Sequence, residues 1–219
     1  MNTHDKRMQM FCDAGLYFVT SQSLSKGRTT LEIVRCALVA GVKLIQLREK
    51  DMPLQQYIEL AQKVRDLTRP YDCLLIINDR IDVALAVGAD GVHLGLDDFP
   101  IDAARSIGKD LIIGSSSHNI EEAKVAEASG ASYVNIGPIF TTQTKNWTEE
   151  YLGLEGLKQI SEHVSIPFTV MGGIKRSHIP DLCAAGARTI ALVTAVTASD
   201  NPERAARELL GEIKCHVIS

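Results

Sequence analysis

No run of apolar residues in this chain approaches the roughly 18 needed to cross a bilayer. The start, Met1 to Asp13, is polar and lacks the apolar stretch of a secretion signal. Both absences argue against membrane insertion and secretion. Cysteine is sparse: Cys12, Cys36, Cys73, Cys183 and Cys215 are odd in number, and no two have CxxC or metal-ligand spacing. Such residues read as reduced, mostly structural thiols of a cytoplasmic protein. An excess of positive charge is missing too. The formal net charge of -4 argues against a general nucleic-acid binder, leaving local basic clusters to grip phosphate. No linker or low-complexity segment interrupts the chain. Its 219 residues, 45% of them hydrophobic, suffice for one domain with a sizeable core and leave little room for a second.

What is present is a rhythm of short apolar runs with polar residues at their ends. Val42 to Ile45 lead to Gln46, Arg48 and Lys50; Leu74 to Ile77 lead to Asn78 and Asp79; Val92 to Leu94 lead to Asp98. Ile112-Ile113 lead to Ser116, Val134 to Ile139 lead to Thr142, Thr144 and Lys145, and Phe168 to Met171 lead to Gly172-Gly173. Polar chemistry gathered at the C-terminal ends of parallel strands characterises α/β enzymes.

A second rhythm sets the number of units. Gly41-Val42, Gly88-Ala89, Gly130-Ala131 and Gly186-Ala187 each pair a helix-closing glycine with a small residue ahead of a strand. They lie about two βα units apart, so they precede strands two, four, six and eight of a (β/α)₈ barrel. Leu16 to Thr20 supplies strand one. Helices are expected near Thr30 to Ala40, after Asp51, and at Asp82 to Val87, Ile101 to Ile107 and Ile120 to Ser129. Three more are expected at Leu154 to His163, His178 to Ala185 and Pro202 to Ile213. The expectation is a single TIM-barrel domain over 1–219, with residues 1–13 a short polar extension. Thr141 to Gly153 is the longest irregular piece and has the length of a lid over the barrel mouth.

Gln46, Arg48 and Lys50 point to one side if strand two continues through them. Arg48 can clamp an oxyanion bidentately while Lys50 adds a mobile point charge, as a phosphate or pyrophosphate requires. Glu49 points the other way and reads as a surface or helix-pairing residue. Asp79 and Asp98, beyond adjacent strands, offer hard oxygens for Mg²⁺ facing a phosphate. Aspartates are also common helix caps, and Asp97 or Asp98 can cap the helix after Pro100. Asn78 directly follows four apolar residues and needs a partner, which a ligand can supply. His93, with no second histidine at ligand spacing, reads as a hydrogen-bonded structural residue. Ser115 and Ser117 read as caps of the helix near Asn119. Gly172-Gly173 and Val193-Thr194 offer backbone N–H groups where barrels commonly hold phosphate, although a turn alone also explains a Gly-Gly pair.

These residues resemble the thiamine phosphate synthase (thiamine-phosphate pyrophosphorylase) family. The most specific stretches are Gln46-Leu47-Arg48-Glu49-Lys50, Asn78-Asp79-Arg80, Ala89 to Gly95, Gly137-Pro138-Ile139-Phe140 with Thr142 to Lys145, and Gly172-Gly173-Ile174. The resemblance implies a TIM barrel that joins hydroxymethylpyrimidine diphosphate to a thiazole phosphate and releases pyrophosphate, with Mg²⁺ as cofactor. It assigns Gln46, Arg48, Lys50 and Asn78 to the diphosphate substrate, Asp79 and Asp98 to the metal, and Lys145 to pyrophosphate. Ser116 falls beside the reacting methylene. Thr142 and Thr144, with the backbones of Gly173, Val193 and Thr194, fall to the thiazole phosphate. Arg48, Lys50, Ser116 and Lys145 then bear on catalysis.

The chain departs from the family where Leu96, in place of a common glutamine, follows Gly95, and in the segment with Trp147, Glu149, Glu150 and Tyr151. Leu96 removes a hydrogen-bonding group near Asp98. Two other readings remain at this stage: a thiazole tautomerase of the same barrel, with His118 as acid–base group, and a non-catalytic binder of thiamine precursors. A homo-oligomer is compatible with the sequence, which does not set the subunit number.

Overall fold

The computed structural model describes residues 2–142 and 150–217. Eight parallel strands close into a barrel in chain order: β1 (Leu16–Val19), β2 (Leu44–Leu47), β3 (Leu74–Asn78), β4 (Gly91–Leu94), β5 (Ile112–Ser117), β6 (Tyr133–Ile136), β7 (Phe168–Val170) and β8 (Thr189–Leu192). The expected barrel is therefore the observed one. Around it run α1 (Thr3–Cys12), α2 (Thr30–Val39), α3 (Leu54–Thr68), α4 (Ile81–Val87), α5 (Ile101–Ile107), α6 (Ile120–Ala128), α7 (Gly153–Ser161), α8 (Ile179–Ala184), α9 (Thr194–Thr197) and α10 (Pro202–Val217). Gly41, Gly88, Gly130 and Gly186 all have positive φ, between 62° and 94°, and each precedes an even-numbered strand as the repeat requires. No described helix is long and apolar enough to cross a membrane. No disulfide joins the cysteines among the described residues.

Strand alternation divides the apolar residues into two cores. One set, including Leu16, Phe18, Ile45, Leu47, Leu75, Ile77 and Val134, packs outward against the helices. The other set, Tyr17, Val19, Leu44, Leu74, Ile76, Ile112 and Tyr133, fills the barrel interior.

Residues 3–12, expected as a polar extension, form a helix that stoppers this interior. Asn2 caps it by accepting from the Asp5 N–H at 2.8 Å. Phe11, almost fully buried, lies 4.4 Å from the Tyr133 ring between centroids. Arg7 pairs with the buried Asp90 carboxylate at 3.2 Å and donates to the Asp110 carbonyl at 2.8 Å. Phe11, with Met8 and Cys12 beside it, faces this core from a largely polar helix, whose few apolar residues leave little periodic signal in the sequence.

Candidate active site

The polar residues of the barrel mouth descend from the same alternation. Gln46, Asn78, His93, Ser116 and Asn135 are inward positions one layer above the apolar interior, because each lies two residues beyond an inward apolar residue or glycine of its strand, and Thr169 joins them as the register partner of Asn135. Gln46 is buried and donates through Nε2 to the Tyr17 hydroxyl at 2.7 Å. Ser116 sits 3.1 Å from Nε2 of His93, whose Nδ1 is 2.9 Å from the Tyr133 hydroxyl. His93 is thus the hydrogen-bonded residue expected. Burial pushes its pKa down to about 4, so the ring is neutral.

Strand two does not run through Arg48 and Lys50 as expected. It ends at Leu47, because the Arg48 N–H donates to Thr20 Oγ1 at 2.9 Å and Asp51 then turns the chain with a φ of 66°. Arg48 is half-buried and Lys50 exposed on the rim. Both still act on Asp79, whose carboxylate their charges favour. Lys50, Asn78, Asp79 and Arg80 line a cleft of about 250 Å³ together with Glu49 and Tyr57. Glu49 is a helix-pairing residue: it accepts from Thr30 Oγ1 and from the Gln22 N–H, both at 2.8 Å, and so ties the exit of β2 to the start of α2.

Asp79 takes a left-handed backbone, φ 62°, while its N–H continues the ladder to the His93 carbonyl at 2.8 Å. That uncommon conformation brings its carboxyl to Asp98. Burial, reinforced by the Asp98 carboxylate, raises the Asp79 pKa to about 6. Asp98 does not cap α5, whose N-cap position is Pro100; its Oδ2 accepts from the Gly95 N–H at 2.7 Å. A Cβ at position 95 would fall 2.8 Å from that oxygen, so glycine there makes room for the carboxylate. Asp98 is oriented by backbone, and the exposed Leu96 side chain leaves that bond intact.

Ser115 and Ser117 are not helix caps. They are buried strand residues facing the helical layer, and Asn119 caps α6 instead, accepting from the Glu122 N–H at 2.9 Å. His118 is held by Glu122, with Nδ1 2.8 Å from Oε2. It lines a groove with residues of α6 and α7 that shares none of the lining of the Asp79 cleft.

On the opposite side of the mouth, Gly172 and Gly173 have φ of 98° and 64°. The Phe140 N–H donates to the Gly172 carbonyl at 3.0 Å, and a Cβ on Gly173 would lie 2.3 Å from the Thr141 carbonyl oxygen. The glycine pair therefore lets the segment carrying Thr142 approach β7. Val193 is the N-cap of the short α9; its carbonyl accepts from the Val196 and Thr197 N–H groups at 3.0 Å, while the first two amides, of Thr194 and Ala195, have no intrahelical acceptor. Thr144, Lys145, Trp147 and Glu149, with most of the expected lid, lie outside the described residues.

A family model described as thiamine monophosphate synthase matches residues 16–196. The chain belongs to that family. It is 47% identical over 197 residues to the thiamine-phosphate synthase of Chloroflexus aurantiacus, covering 90% of this chain and 91% of that protein. It is likewise 47% identical over 195 residues to that of Archaeoglobus fulgidus, covering 89% and 91%. The solved structure of thiamine phosphate pyrophosphorylase from Pyrococcus furiosus superposes with a TM-score of 0.87 at 38% identity, covering 95% of this chain and 99% of that one. Sequence reasoning missed Tyr17, Tyr133, Asn135 and Thr169, since a tyrosine or threonine in a strand looks like any β-former until the barrel closes.

Proposed function

We infer that this chain is a transferase of thiamine biosynthesis: it condenses hydroxymethylpyrimidine diphosphate with a thiazole phosphate to give thiamine phosphate and pyrophosphate. The observation that carries the reading is the joint one of family and mouth. A chain 47% identical to thiamine-phosphate synthases gathers Arg48, Lys50 and Asn78 around a pair of carboxylates.

The reaction needs a bond between the pyrimidine methylene carbon and the diphosphate oxygen to break, with the electron pair leaving on pyrophosphate. The electron-rich methylene becomes a cation, and the thiazole nitrogen lone pair closes the new C–N bond. No protein nucleophile takes part, so the chemistry calls for no Ser-His-Asp or Cys-His set. Arg48, Lys50 and Lys145 offset the charge that develops on the departing pyrophosphate, and Ser116 stands beside the breaking bond. Gln46 and Asn78 orient the diphosphate substrate. Thr142, Thr144 and the backbones of Gly173, Val193 and Thr194 hold the thiazole phosphate.

Asp79 and Asp98 fit a hard divalent cation. They are acidic oxygens near one another, Asp79 half-buried and Asp98 exposed, with the ionisation of Asp79 disfavoured until a positive charge arrives. Mg²⁺ held there would supply further neutralisation of the leaving group.

Incubation of purified protein with the thiazole phosphate alone, the pyrimidine diphosphate alone, and both together with Mg²⁺ tests the reading. Thiamine phosphate is expected only from the pair. Conversion of the thiazole alone would mark a tautomerase, and binding without turnover a precursor-binding protein.

A further inference from the structure

Beneath the mouth, one hydrogen-bonded chain crosses the barrel and joins two residues that the proposed chemistry uses. Gln46 Nε2 is 2.7 Å from the Tyr17 hydroxyl, which is 2.8 Å from the Tyr133 hydroxyl. Tyr133 is 2.9 Å from His93 Nδ1, and His93 Nε2 is 3.1 Å from Ser116 Oγ. Gln46, Tyr17, Tyr133 and His93 are buried, so water does not compete along the path. The fold reserves space for its centre: a Cβ on Gly114 would lie 2.1 Å from Tyr133 Cζ, so only glycine lets that ring stand against β5.

Each hydroxyl in such a chain has one proton to give, and a neutral imidazole has one N–H. A hydroxyl can still accept twice, but a buried O–H left without an acceptor is costly, so the direction of any one bond sets the others. If the Gln46 amide donates to Tyr17, then Tyr17 donates to Tyr133, and Tyr133 to His93 Nδ1. His93 must then carry its proton on Nε2 and donate to Ser116. Ser116 Oγ, having accepted, turns its own proton outward. Burial keeps His93 neutral and holds both tyrosines protonated, so no member offers a second route. The reverse polarity would present only lone pairs from Ser116, which an anionic diphosphate would repel.

We propose that Tyr17, Tyr133 and His93 are positioning residues whose hydrogen-bond chain, running from Gln46 to Ser116, makes the Ser116 hydroxyl an obligate donor toward the diphosphate. This rests on the condensation reading for what occupies the mouth. The polarity itself is a property of the protein alone.

The two parts are tested separately. In ¹⁵N-histidine-labelled protein, with the His93 signals assigned by their loss in His93→Gln, the substrate-free ring is expected as the Nε2–H tautomer with bare Nδ1. An Nδ1–H tautomer overturns the proposal, whether or not the protein is active. In the kinetic arm, Tyr133→Phe is expected to lower kcat about tenfold, with KM for the pyrimidine diphosphate changed less than about threefold, since one oriented donor is lost. In a Ser116→Ala background the same change is expected to cost less than about twofold, because the chain then ends on nothing. An equal loss in both backgrounds overturns the proposal. Tyr17→Phe provides the same cycle if Tyr133→Phe does not fold. Absence of coupling by the unaltered protein would overturn the condensation reading while the tautomer measurement still decides the polarity.

Discussion

Asp79 and Asp98, on the loops after β3 and β4, lie near enough that the Asp98 carboxylate helps to raise the Asp79 pKa. Under the proposed reading the pair shares a divalent cation in the working state. Replacing either by asparagine removes an anionic oxygen and is expected to slow coupling by roughly 10², with weaker binding of the metal–diphosphate complex. Calorimetric titration of Mg²⁺–pyrophosphate into each variant checks this. Unchanged metal dependence and rate in both would remove these residues from the metal shell.

The pH dependence follows from the same pair. Asp79 has its pKa raised from 3.8 to about 6, so the folded protein holds this proton more tightly than the unfolded chain does. Without metal, Asp79 therefore lowers stability as pH rises from 3.8 through about 6, and its cost is complete above that value. Mg²⁺ must compete with the proton below about 6, so apparent Mg²⁺ affinity is expected to climb through that pH and then level off. Titrations at several pH values should show this bend in the unaltered protein and a flatter profile in Asp79→Asn. The same bend in both would place its origin elsewhere.

Gly173→Ala tests the other half of the mouth. The added methyl meets the Thr141 carbonyl oxygen at 2.3 Å from a backbone with φ 64°. Strain and displacement together are expected to cost about 2 kcal/mol or more and to weaken binding of the thiazole phosphate. Denaturant melts with binding measured on the same sample separate the two effects. A variant with unaltered stability and affinity would show that the close approach is dispensable.

Phe11→Ala should show what the N-terminal helix contributes. Phe11 is 1% exposed and packs on Tyr17 and Tyr133 at the closed end of the barrel. Its removal is expected to destabilise by about 3–5 kcal/mol. Guanidinium unfolding measures the loss, and a change below about 0.5 kcal/mol, the scale of an ordinary surface substitution, would mean that the stopper is not part of the cooperative core.

The barrel was legible in the sequence because its strands, covered on both faces, read as continuous apolar runs, and because the glycine repeat marks every second unit. That Asp79, Asp98, Asn78 and Ser116 stand at the C-terminal ends of strands was legible because the apolar runs stop just before them. The exit of β2 was not: a single side-chain bond from Thr20 ends the strand before Arg48. Ser115 and Ser117 were misread because strand alternation, which turns them away from the mouth on either side of Ser116, shows only once β5 is known to extend to Ser117. The link between Tyr17 and Tyr133 joins positions 116 residues apart and exists only in the closed barrel.

Arg48→Ala and Lys145→Ala separate binding from chemistry. Each is expected to lower the rate at saturating substrates by roughly 10² or more if, as the proposed reading has it, their charges offset that of the departing pyrophosphate. A change confined to substrate affinity would make them binding groups and place the stabilisation of the leaving group elsewhere.

The most direct test is a quenched single-turnover reaction with protein and Mg²⁺ in excess over the pyrimidine diphosphate and with thiazole phosphate saturating. Thiamine phosphate and pyrophosphate are expected to appear together, at one rate and in equal amounts, as the diphosphate disappears. Pyrophosphate release without thiamine phosphate, or a bound diphosphate that yields neither product, would contradict the assignment.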